Sequence, residues 1–457
     1  MQHPKVVVIG AGSLFFGRQA LWNMIHSEVL RQGTLAYVDT DPSRLDRMVK
    51  LAGLMAKHTG SPLAVEGSTQ RRDVLPGADF VVLSFANDGV KYRGMDCEIS
   101  AKYGVLMCSG DTIGPGGIFR AARELPEILR VADDVRRLCP DAWVINYINP
   151  TAVNGIGLMR HGAVKSFALC DGLHLPHVKR GYVVAAGIAP DRESVTPRME
   201  EEFELEIAGV NHFTWLLEAR YRQRDVTGDI RRRWEKLAAE EKDEGHSKSR
   251  FNYSYALELW DIFGLAPACI GHTKEYVPYW QGKNVAPDRY PALTVFDATE
   301  RQKQHDRMWE AVDAYLSGRK APDEFMKSMG ADHATDVIES MWGKLGKPFY
   351  INTANHGAVA NMDDDAFLEL RCEVDMDGAR PVKVGSFPRG IRALQLQVLE
   401  THELTVEAIV RRDRKLLRRA MLLDPIVNTI SDGDRIIEEL LTAEKDALQK
   451  SGFTLGV

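Results

Sequence analysis

The sequence lacks the features that define several specialised classes of protein. Its 457 residues contain no run of about 20 apolar residues, so we expect no membrane span. Basic residues are not in excess: 58 Lys and Arg stand against 64 Asp and Glu, and the net charge of −6 excludes a strongly basic protein that binds nucleic acid. The first residues contain no basic region followed by an apolar stretch and a cleavage site, so we expect no signal peptide.

Cysteine is scarce and unpaired. The six cysteines form no Cys-x-x-Cys pair, and six in a chain of this length do not make a disulfide framework. We therefore expect a reducing, cytoplasmic location and, for most of these residues, buried thiols without chemistry. The overall composition is that of a globular protein, with 44 % hydrophobic and 27 % charged residues, which excludes disorder and allows two or three domains.

The N-terminal segment predicts a dinucleotide-binding turn. Lys5–Ile9 is a β-branched run long enough for a buried strand, and Gly10-Ala11-Gly12-Ser13 follows it directly. A helical stretch comes next, from Gly17 to about Ile25. In this order of elements the glycines let the backbone approach a pyrophosphate at the helix N-terminus. The motif is incomplete, because Phe15 stands where the consensus has a third glycine.

The next strand ends in an acidic residue. Thr34–Val38 is followed by Asp39, at the position where a ribose diol is bound, and the negative charge favours NAD over NADP. The alternative is a surface turn that caps the following helix. Further strands and helices alternate and predict an α/β fold with a doubly wound, Rossmann-like parallel sheet. The strands are Ala78–Phe85 and Ala142–Tyr147, and the helices lie near 43–58 and 120–138.

Two polar motifs follow these strands, where ligands bind in such sheets. The first is Gly110–Gly117, a glycine-rich loop around Asp111 that precedes a helix beginning near Phe119. It is either a flexible turn or a backbone shaped around a ligand. The second is Asn149, directly after Ala142–Tyr147, which contacts a cofactor ribose or a sugar hydroxyl or caps a helix.

The second half contains cysteine and histidine without the spacing of a local metal motif. Cys170 and His212 lie about 40 residues apart, and His174, His177 and Asp171 compete as ligands. The stretch 347–370 predicts two strands joined by a polar loop, and two long helices near 389–420 and 433–449 close the chain. We expect an NAD-binding domain over 1–195 and an α+β domain over 196–457, in a lactate/malate dehydrogenase-like architecture.

Together these motifs form an ordered set that runs nearly from end to end. They are Val7–Ser13 with Asp39, Gly110–Gly117 followed by Arg120 and Pro126, Asn146–Pro150, Cys170, Asn211-His212, His272–Pro278, Asn355–Ala358, Gly385–Gly390 and Leu423–Pro425. In this set the sequence resembles glycoside hydrolase family four, the NAD- and divalent-metal-dependent glycosidases, which depart from the usual two-carboxylate mechanism.

The resemblance implies a redox hydrolysis of a small carbohydrate. NAD oxidises the sugar at C3, a base removes the C2 proton, the glycosidic bond breaks by elimination with the help of an acid, and water adds. A divalent metal, usually Mn²⁺, stabilises the charge. The implied metal ligands are Cys170 and His212, and the implied acid is Asp111, its proton held by burial. The implied NAD contacts are Gly10, Gly12, Ser13, Asp39 and Asn149, and the implied substrate contacts are Asn149, Asp171 and Asn211.

The substrate class and the identity of the C2 base have alternatives in the sequence. Relatives have histidine or asparagine after the cysteine where this chain has Asp171, whose charge would repel phosphate and so favours a neutral, unphosphorylated α-glycoside. For the C2 base we favour His272 over Tyr276 and Asp261. A plain NAD-dependent sugar or hydroxy-acid dehydrogenase is the alternative activity, and an inactive sugar-binding regulator is a third interpretation. The resemblance also implies a homodimer or homotetramer.

Overall fold

The computed structural model describes residues 3–13, 16–243, 251–281 and 293–455. Strands in these ranges are numbered in chain order. They are Lys5–Ile9 (β1), Thr34–Val38 (β2), Ala64–Ser68 (β3), Phe80–Leu83 (β4), Trp143–Asn146 (β5), Lys165–Ala168 (β6), Phe203–Val210 (β7), Phe213–Tyr221 (β8), Arg224–Asp225 (β9), Ala266–Pro267 (β10), Pro348–Ala354 (β11), Phe367–Asp375 (β12) and Gly378–Pro381 (β13).

Helices surround the strands on both faces. They are Phe16–His26 (α1), Pro42–Thr59 (α2), Arg71–Val74 (α3), Gly89–Lys102 (α4), Gly114–Leu138 (α5), Thr151–Gly157 (α6), Leu175–Ala185 (α7), Pro197–Glu201 (α8), Thr227–Asp243 (α9), Asn252–Phe263 (α10), Ala298–Leu316 (α11), Pro322–Ser328 (α12), His333–Gly343 (α13), Arg389–Arg411 (α14), Arg414–Leu423 (α15), Ile430–Ala443 (α16) and Lys445–Ser451 (α17). Short 3₁₀ turns lie at Asp171–Leu173, Thr273–Tyr276 and Pro278–Trp280, and Leu158–Gly162 is a π-helical turn.

All of the numbered strands belong to one sheet. Six are parallel, in the order β3-β2-β1-β4-β5-β6, which is the order of a doubly wound nucleotide-binding sheet. Beyond β6 the sheet continues with antiparallel strands, starting where Asn352 of β11 pairs with Ala168 of β6. The main hydrophobic core spans both parts, from Val7 on β1 to Ile391 on α14. The predicted α/β class with a Rossmann-like sheet is confirmed.

The predicted elements differ from the observed ones at two places. Helix α5 begins at Gly114, not near Phe119, so half of the glycine-rich loop forms the first turn of a helix. The C-terminal region forms four helices rather than two. Arg412 adopts a left-handed conformation and Asp413 caps α15, which separates α14 from α15, and α16 ends at Ala443 before α17 begins at Lys445. The boundary between 195 and 196 stays a prediction. Among the described residues, no helix has both the length and the apolar character needed to cross a bilayer.

Candidate functional site

A pocket of about 280 Å³ lies at the carboxyl ends of β5 and β6. Residues directly after these two strands form one wall, because parallel strands all end at the same edge of the sheet. The remaining walls come from α1, the loop before α5, the β7–β8 connection, the segment after β10, α4 and α11. The lining residues are Phe16, Arg93, Ser109, Asp111, Tyr147, Asn149, Thr151, Leu169, Cys170, Asp171, Gly172, His212, Cys269, His272 and Arg301.

The glycine turn lies beside this pocket, between β1 and α1. The Gly12 N–H donates to Asp39 Oδ2 at 2.7 Å. Within the turn that follows β2, Asp41 caps helix α2, and Asp39 Oδ1 accepts from the Asp41 N–H at 2.9 Å, so the turn has the capping role that was the alternative, with Asp41 as the cap. Gly10 has a φ of +96°, and a Cβ there would lie 2.5 Å from the backbone nitrogen of Phe85. Gly10 therefore requires a bare backbone.

The rest of the turn adds little side-chain chemistry. Ser13 is half-buried, and its N–H donates to the Gly10 carbonyl at 2.9 Å, which closes the turn. Phe15 lies outside the described residues. Phe16, the first residue of α1, lines the pocket and packs against Tyr147 with ring centroids 4.3 Å apart. The turn is thus joined directly to the wall of the pocket.

Asp111 is buried and held by positive charge. Arg120 and Arg93 approach its Oδ2 at 2.8 Å and 3.1 Å, and the Ser109 hydroxyl donates to Oδ1 at 2.8 Å. Burial by itself would raise the pKa of Asp111, but the two guanidinium groups outweigh it and hold that pKa well below its usual range. The expectation that burial keeps a proton on Asp111 is therefore wrong, and the carboxylate is ionised.

Asn149 is joined to this carboxylate. Its Nδ2 donates to Asp111 Oδ2 at 3.3 Å, and its Oδ1 accepts from the Thr151 hydroxyl at 2.7 Å. The residue that caps α6 is Pro150, so the interpretation of Asn149 as a helix cap is wrong. The Asn149–Pro150 peptide bond is cis. The Asn149 side chain lines the pocket, in reach of a ligand.

Asp171 differs from Asp111 in its partners. It also lines the pocket, and the Tyr147 hydroxyl donates to its Oδ1 at 2.9 Å. Reduced hydration raises the pKa of Asp171 above its usual value. The pocket therefore contains one carboxylate with two arginine partners and a second one held by a neutral hydroxyl, and their environments shift the two pKa values in opposite directions.

Cys170 and His212 meet across the sheet. Cys170 follows β6, His212 joins β7 to β8, and the Cys170 Sγ lies 3.1 Å from His212 Nδ1. Burial, with a smaller effect of the nearby His272, lowers the pKa of His212 to about 3, so its imidazole is neutral. Burial and nearby anionic groups, foremost Glu369, raise the pKa of the Cys170 thiol. The two residues predicted as metal ligands are thus brought into contact.

The residues around this pair hold it in place. Asn211 Nδ2 donates to Glu369 Oε2 at 3.0 Å, and burial raises the pKa of Glu369 to about 7. Asn211 is buried and is not among the residues that line the pocket, although it is predicted as a substrate contact. Nothing in the sequence marks Glu369, which comes from β12.

The three candidates for a C2 base lie in different environments. His272 lines the pocket, with its ring centroid 4.6 Å from that of His212, and its Nδ1 is buried without a hydrogen-bond partner in the described chain. Tyr276 is buried, and its hydroxyl is bound to the backbone of Asn211 and His212. Asp261 is exposed on α10 and pairs with Arg231 at 2.5 Å. Of the three, the pocket contains His272 alone.

The other histidines named as competing ligands have partners of their own. His174 Nε2 lies 3.0 Å from Asp336 Oδ2, and His177 contacts Arg192. Across residues 3–13, 16–243, 251–281 and 293–455, no three His, Cys, Asp or Glu side chains converge in a way that could hold a metal ion. All six cysteines are free. Cys269, expected to be an inert buried thiol, lines the pocket.

Several lining residues escaped the sequence analysis. Arg93 comes from α4 and Arg301 from α11, and neither lies in a recognisable motif. Tyr147 could have been found, because it follows β5 directly within the quoted motif Asn146–Pro150. Ser109 directly precedes the glycine-rich loop, and the prediction for that loop concerned its glycines and Asp111.

The strand order and the turn at Gly12 are those of dinucleotide-binding α/β proteins. The model of the "Family 4 glycosyl hydrolase" matches residues 5–176, and that of the "Family 4 glycosyl hydrolase C-terminal domain" matches residues 207–427. This chain belongs to family 4 of the glycosyl hydrolases, and the resemblance found in its motifs is confirmed.

Individual relatives are similar over most or nearly all of their length. An α-galactosidase of Bacillus subtilis (strain 168) is 29 % identical, with 97 % of this chain and 99 % of the relative covered. An α-galactosidase of Rhizobium meliloti (strain 1021) is 26 % identical, over 96 % of this chain and 88 % of the relative. A 6-phospho-α-glucosidase from gut microorganisms, solved in complex with NAD and Mn²⁺, has a TM-score of 0.80 at 20 % identity and covers 98 % of this chain and 99 % of its own. This last likeness is one of fold.

Proposed function

We propose that this chain hydrolyses an α-glycoside of an unphosphorylated sugar, with NAD⁺ and a divalent metal such as Mn²⁺ as cofactors. The observation that carries the proposal is the contact between Cys170 and His212 in a pocket that also contains Asp111, Asp171 and His272. When bound, the cofactors supply a transient oxidation at C3 of the sugar and Lewis-acid stabilisation of negative charge on its oxygens. The 6-phospho-α-glucosidase solved with NAD and Mn²⁺ supports this pair of cofactors.

The turn at Gly12 fits a dinucleotide. A Cβ on Gly12 would lie 2.7 Å from Asp39 Oδ2 and 2.9 Å from Arg44 Cδ, so any side chain at this position would displace Asp39 and Arg44. A pyrophosphate-binding turn needs this close approach. Gly10, Gly12 and Ser13 would hold the pyrophosphate, and Asp39 would accept hydrogen bonds from the ribose diol.

Cys170 and His212 fit a catalytic metal more than a structural one. Imidazole and thiolate are both ordinary ligands of divalent transition metals. No third His, Cys, Asp or Glu side chain of the described residues completes a metal-binding group with these two, so water and sugar hydroxyls would complete the coordination. A site left open in this way is typical of metals that act on a substrate. A reducing compartment such as the cytoplasm would keep the Cys170 thiol available.

Asp171, rather than Asp111, is the better proton donor to the leaving group. Both oxygens of Asp111 are occupied by groups that stabilise its charge, namely Arg93, Arg120 and Ser109. Asp171 opens into the pocket and is held through one oxygen by a neutral phenol. Asp111 instead acts as a fixed anion that orients Arg93 and Asn149, both of which line the pocket.

His272 is the side chain placed to remove the C2 proton. Its ring lies beside that of His212, so a sugar whose O2 and O3 face the metal pair would present C2 to the same region. For the substrate, Asp171 would repel a phosphate or uronate, and Arg93, one of the two arginines that line the pocket, is already paired with Asp111. The α-galactosidases among the relatives support a neutral sugar.

The activity is tested with a panel of p-nitrophenyl α-glycosides, with and without a 6-phosphate. We expect nitrophenol release from the unphosphorylated compounds only when NAD⁺ and Mn²⁺ are both present, with no net accumulation of NADH. Stoichiometric NADH from a free sugar would instead identify a dehydrogenase, and faster cleavage of the phosphorylated compounds would refute the neutral substrate. Cys170→Ser should abolish the Mn²⁺-dependent activity while NAD⁺ still binds.

The roles of Asp111 and Asp171 can be distinguished by varying the leaving group of the substrate. Loss of an acid catalyst matters most when the departing oxygen is strongly basic. We therefore expect the rate lost in Asp171→Asn to grow from nitrophenyl to methyl glycosides, whereas Asp111→Asn loses the same factor on both. The reverse pattern would make Asp111 the acid.

A homodimer or homotetramer stays a prediction, which light scattering after size-exclusion chromatography checks.

A further inference from the structure

The 3₁₀ turn Thr273–Tyr276 lies behind the pocket and contacts two of its walls. Its residues are buried, with Glu275 and Tyr276 each 1 % exposed, and neither of these two lines the cavity. His272, directly before the turn, does line it. The proposed chemistry uses His272 alone from this segment, which leaves the buried side chains of Glu275 and Tyr276 without a role.

Glu275 holds the loop that carries Asp111. Its Oε1 accepts from the Ser109 N–H at 2.7 Å, and its Oε2 accepts from the Gly110 N–H at 3.1 Å. The Cys108 thiol also lies 2.7 Å from Oε1. Three consecutive residues are thus fixed by one carboxylate, and the last of them immediately precedes Asp111. The Ser109 hydroxyl continues the connection to Asp111 Oδ1 at 2.8 Å.

Tyr276 holds the peptide that delivers His212. Its hydroxyl accepts from the His212 N–H at 2.9 Å and donates to the Asn211 carbonyl at 3.1 Å. Its ring stacks on that of Phe213, with centroids 5.2 Å apart and planes 7° from parallel. The Tyr276 hydroxyl therefore binds both polar groups of the Asn211–His212 peptide, and the Tyr276 ring packs on the next residue, Phe213.

We propose that Glu275 and Tyr276 are positioning residues that set the Asp111 carboxylate and the His212 imidazole relative to each other. Because Glu275 and Tyr276 are consecutive residues of one turn, the two parts of the pocket wall that they bind are both fixed relative to that turn. Glu275 acts through Ser109 and Gly110 on Asp111, and Tyr276 acts through the backbone on His212. The inference rests on the proposed function, in which Cys170 and His212 bind the metal.

The role of Tyr276 is tested by titrating the protein with Mn²⁺ in the presence of NAD⁺. The free Mn²⁺ is measured by electron paramagnetic resonance. Tyr276→Phe keeps the stacking on Phe213 but removes both backbone hydrogen bonds. We expect the Mn²⁺ dissociation constant to rise by about tenfold or more, as when supports of metal ligands are removed. The NAD⁺ dissociation constant should change by less than about twofold, well below the tenfold change expected for Mn²⁺.

Tyr350→Phe is the matched control. The Tyr350 hydroxyl also bridges a backbone donor and acceptor, the Ile207 N–H at 3.1 Å and the Leu205 carbonyl at 3.2 Å, and it is equally buried. These partners lie on β7, the strand that leads to His212, but outside the pocket wall. Its Mn²⁺ affinity should match that of the unmodified protein. Equal Mn²⁺ affinity in Tyr276→Phe and Tyr350→Phe would overturn the role of Tyr276.

Glu275 is tested by a double-mutant cycle with Asp111. Glu275→Gln places an amide N–H₂ against the backbone donors of the loop, and we expect kcat/KM to fall by about tenfold or more while Mn²⁺ affinity is unchanged. If Glu275 acts through Asp111, the same change in the Asp111→Asn background costs less than about twofold, since contacting residues are not additive. An undiminished cost in that background refutes the inference. Should Glu275→Gln not fold, Ser109→Ala breaks the same connection and must show the same non-additivity.

The failure of the inference is distinguishable from that of the proposed function. If the unmodified protein binds no Mn²⁺, or Cys170→Ala binds it equally well, the metal site itself is refuted. If Asp111→Asn is fully active, the role of Asp111 is refuted. With both of these intact, unchanged Mn²⁺ affinity in Tyr276→Phe or an additive cycle with Glu275→Gln overturns the positioning role alone.

Discussion

Replacement of Gly12 by alanine should weaken NAD⁺ binding by steric displacement of Asp39. Gly12 is not one of the glycines with positive φ, so alanine is compatible with the backbone. The new Cβ would lie 2.7 Å from Asp39 Oδ2, and that oxygen already accepts the Gly12 N–H at 2.7 Å. Asp39 must therefore move, and a displaced Asp39 would lose its proposed charge-assisted hydrogen bond to the ribose diol, worth about 1.5–3 kcal/mol. Since about 1.4 kcal/mol is a factor of ten, we expect the NAD⁺ dissociation constant to rise by roughly 10- to 100-fold.

The assay is isothermal titration of NAD⁺ into the metal-free protein. Gly53→Ala is the control, because Gly53 lies inside α2 with nothing within 4 Å of a built Cβ. That variant should bind NAD⁺ as the unmodified protein does and melt at the same temperature or higher, since alanine favours a helix interior by about 1 kcal/mol over glycine. An NAD⁺ dissociation constant in Gly12→Ala within twofold of the unmodified value would refute the assignment of this turn to the dinucleotide.

Two further predictions concern stability. Arg123→Met removes the partner of Asp96 at 2.7 Å and of Glu444, all three side chains being buried, and should lower the free energy of unfolding in urea by about 3–5 kcal/mol; a loss under 1 kcal/mol would contradict the ion cluster. Burial raises the pKa of Asp424, which accepts from the Gly114 N–H at 2.8 Å, from 3.8 to about 7. The unfolded chain then releases this proton at lower pH than the folded one, so stability should fall by up to about 4 kcal/mol between pH 4 and 7 and level off above. Asp424→Asn should remove that slope in urea titrations across this range.

Strands were predictable where local sequence and burial agree. Lys5–Ile9 and Thr34–Val38 are β-branched or apolar runs bounded by polar turns, and both strands lie at the predicted bounds. The C-terminal helices were not separated, because the amphipathic period continues from α14 into α15 without a glycine or proline between them. Asp413, which caps α15, was the available signal for a new helix.

The site could be predicted in part for a topological reason. Residues that directly follow parallel strands, such as Asn149 after β5 and Cys170 after β6, must meet at one edge of the sheet, so their order along the chain is enough. Glu369 and Arg93 come from β12 and α4, and their approach depends on how the second part of the sheet packs on the first. No spacing in the sequence encodes that distance.

The sequence also does not determine which of the two pocket aspartates is the acid and which is the anion. A sequence identifies Asp111 and Asp171 as carboxylic acids, but their charge state depends on what surrounds them. Arg93 and Arg120 arrive from α4 and α5 and stabilise the ionised form of Asp111, whereas Tyr147 supplies Asp171 with a neutral donor. If Arg93 were replaced by methionine, one of the two charges that ionise Asp111 would be lost, and Asp111 would move toward the behaviour of Asp171. The roles of the two residues are therefore properties of their neighbours.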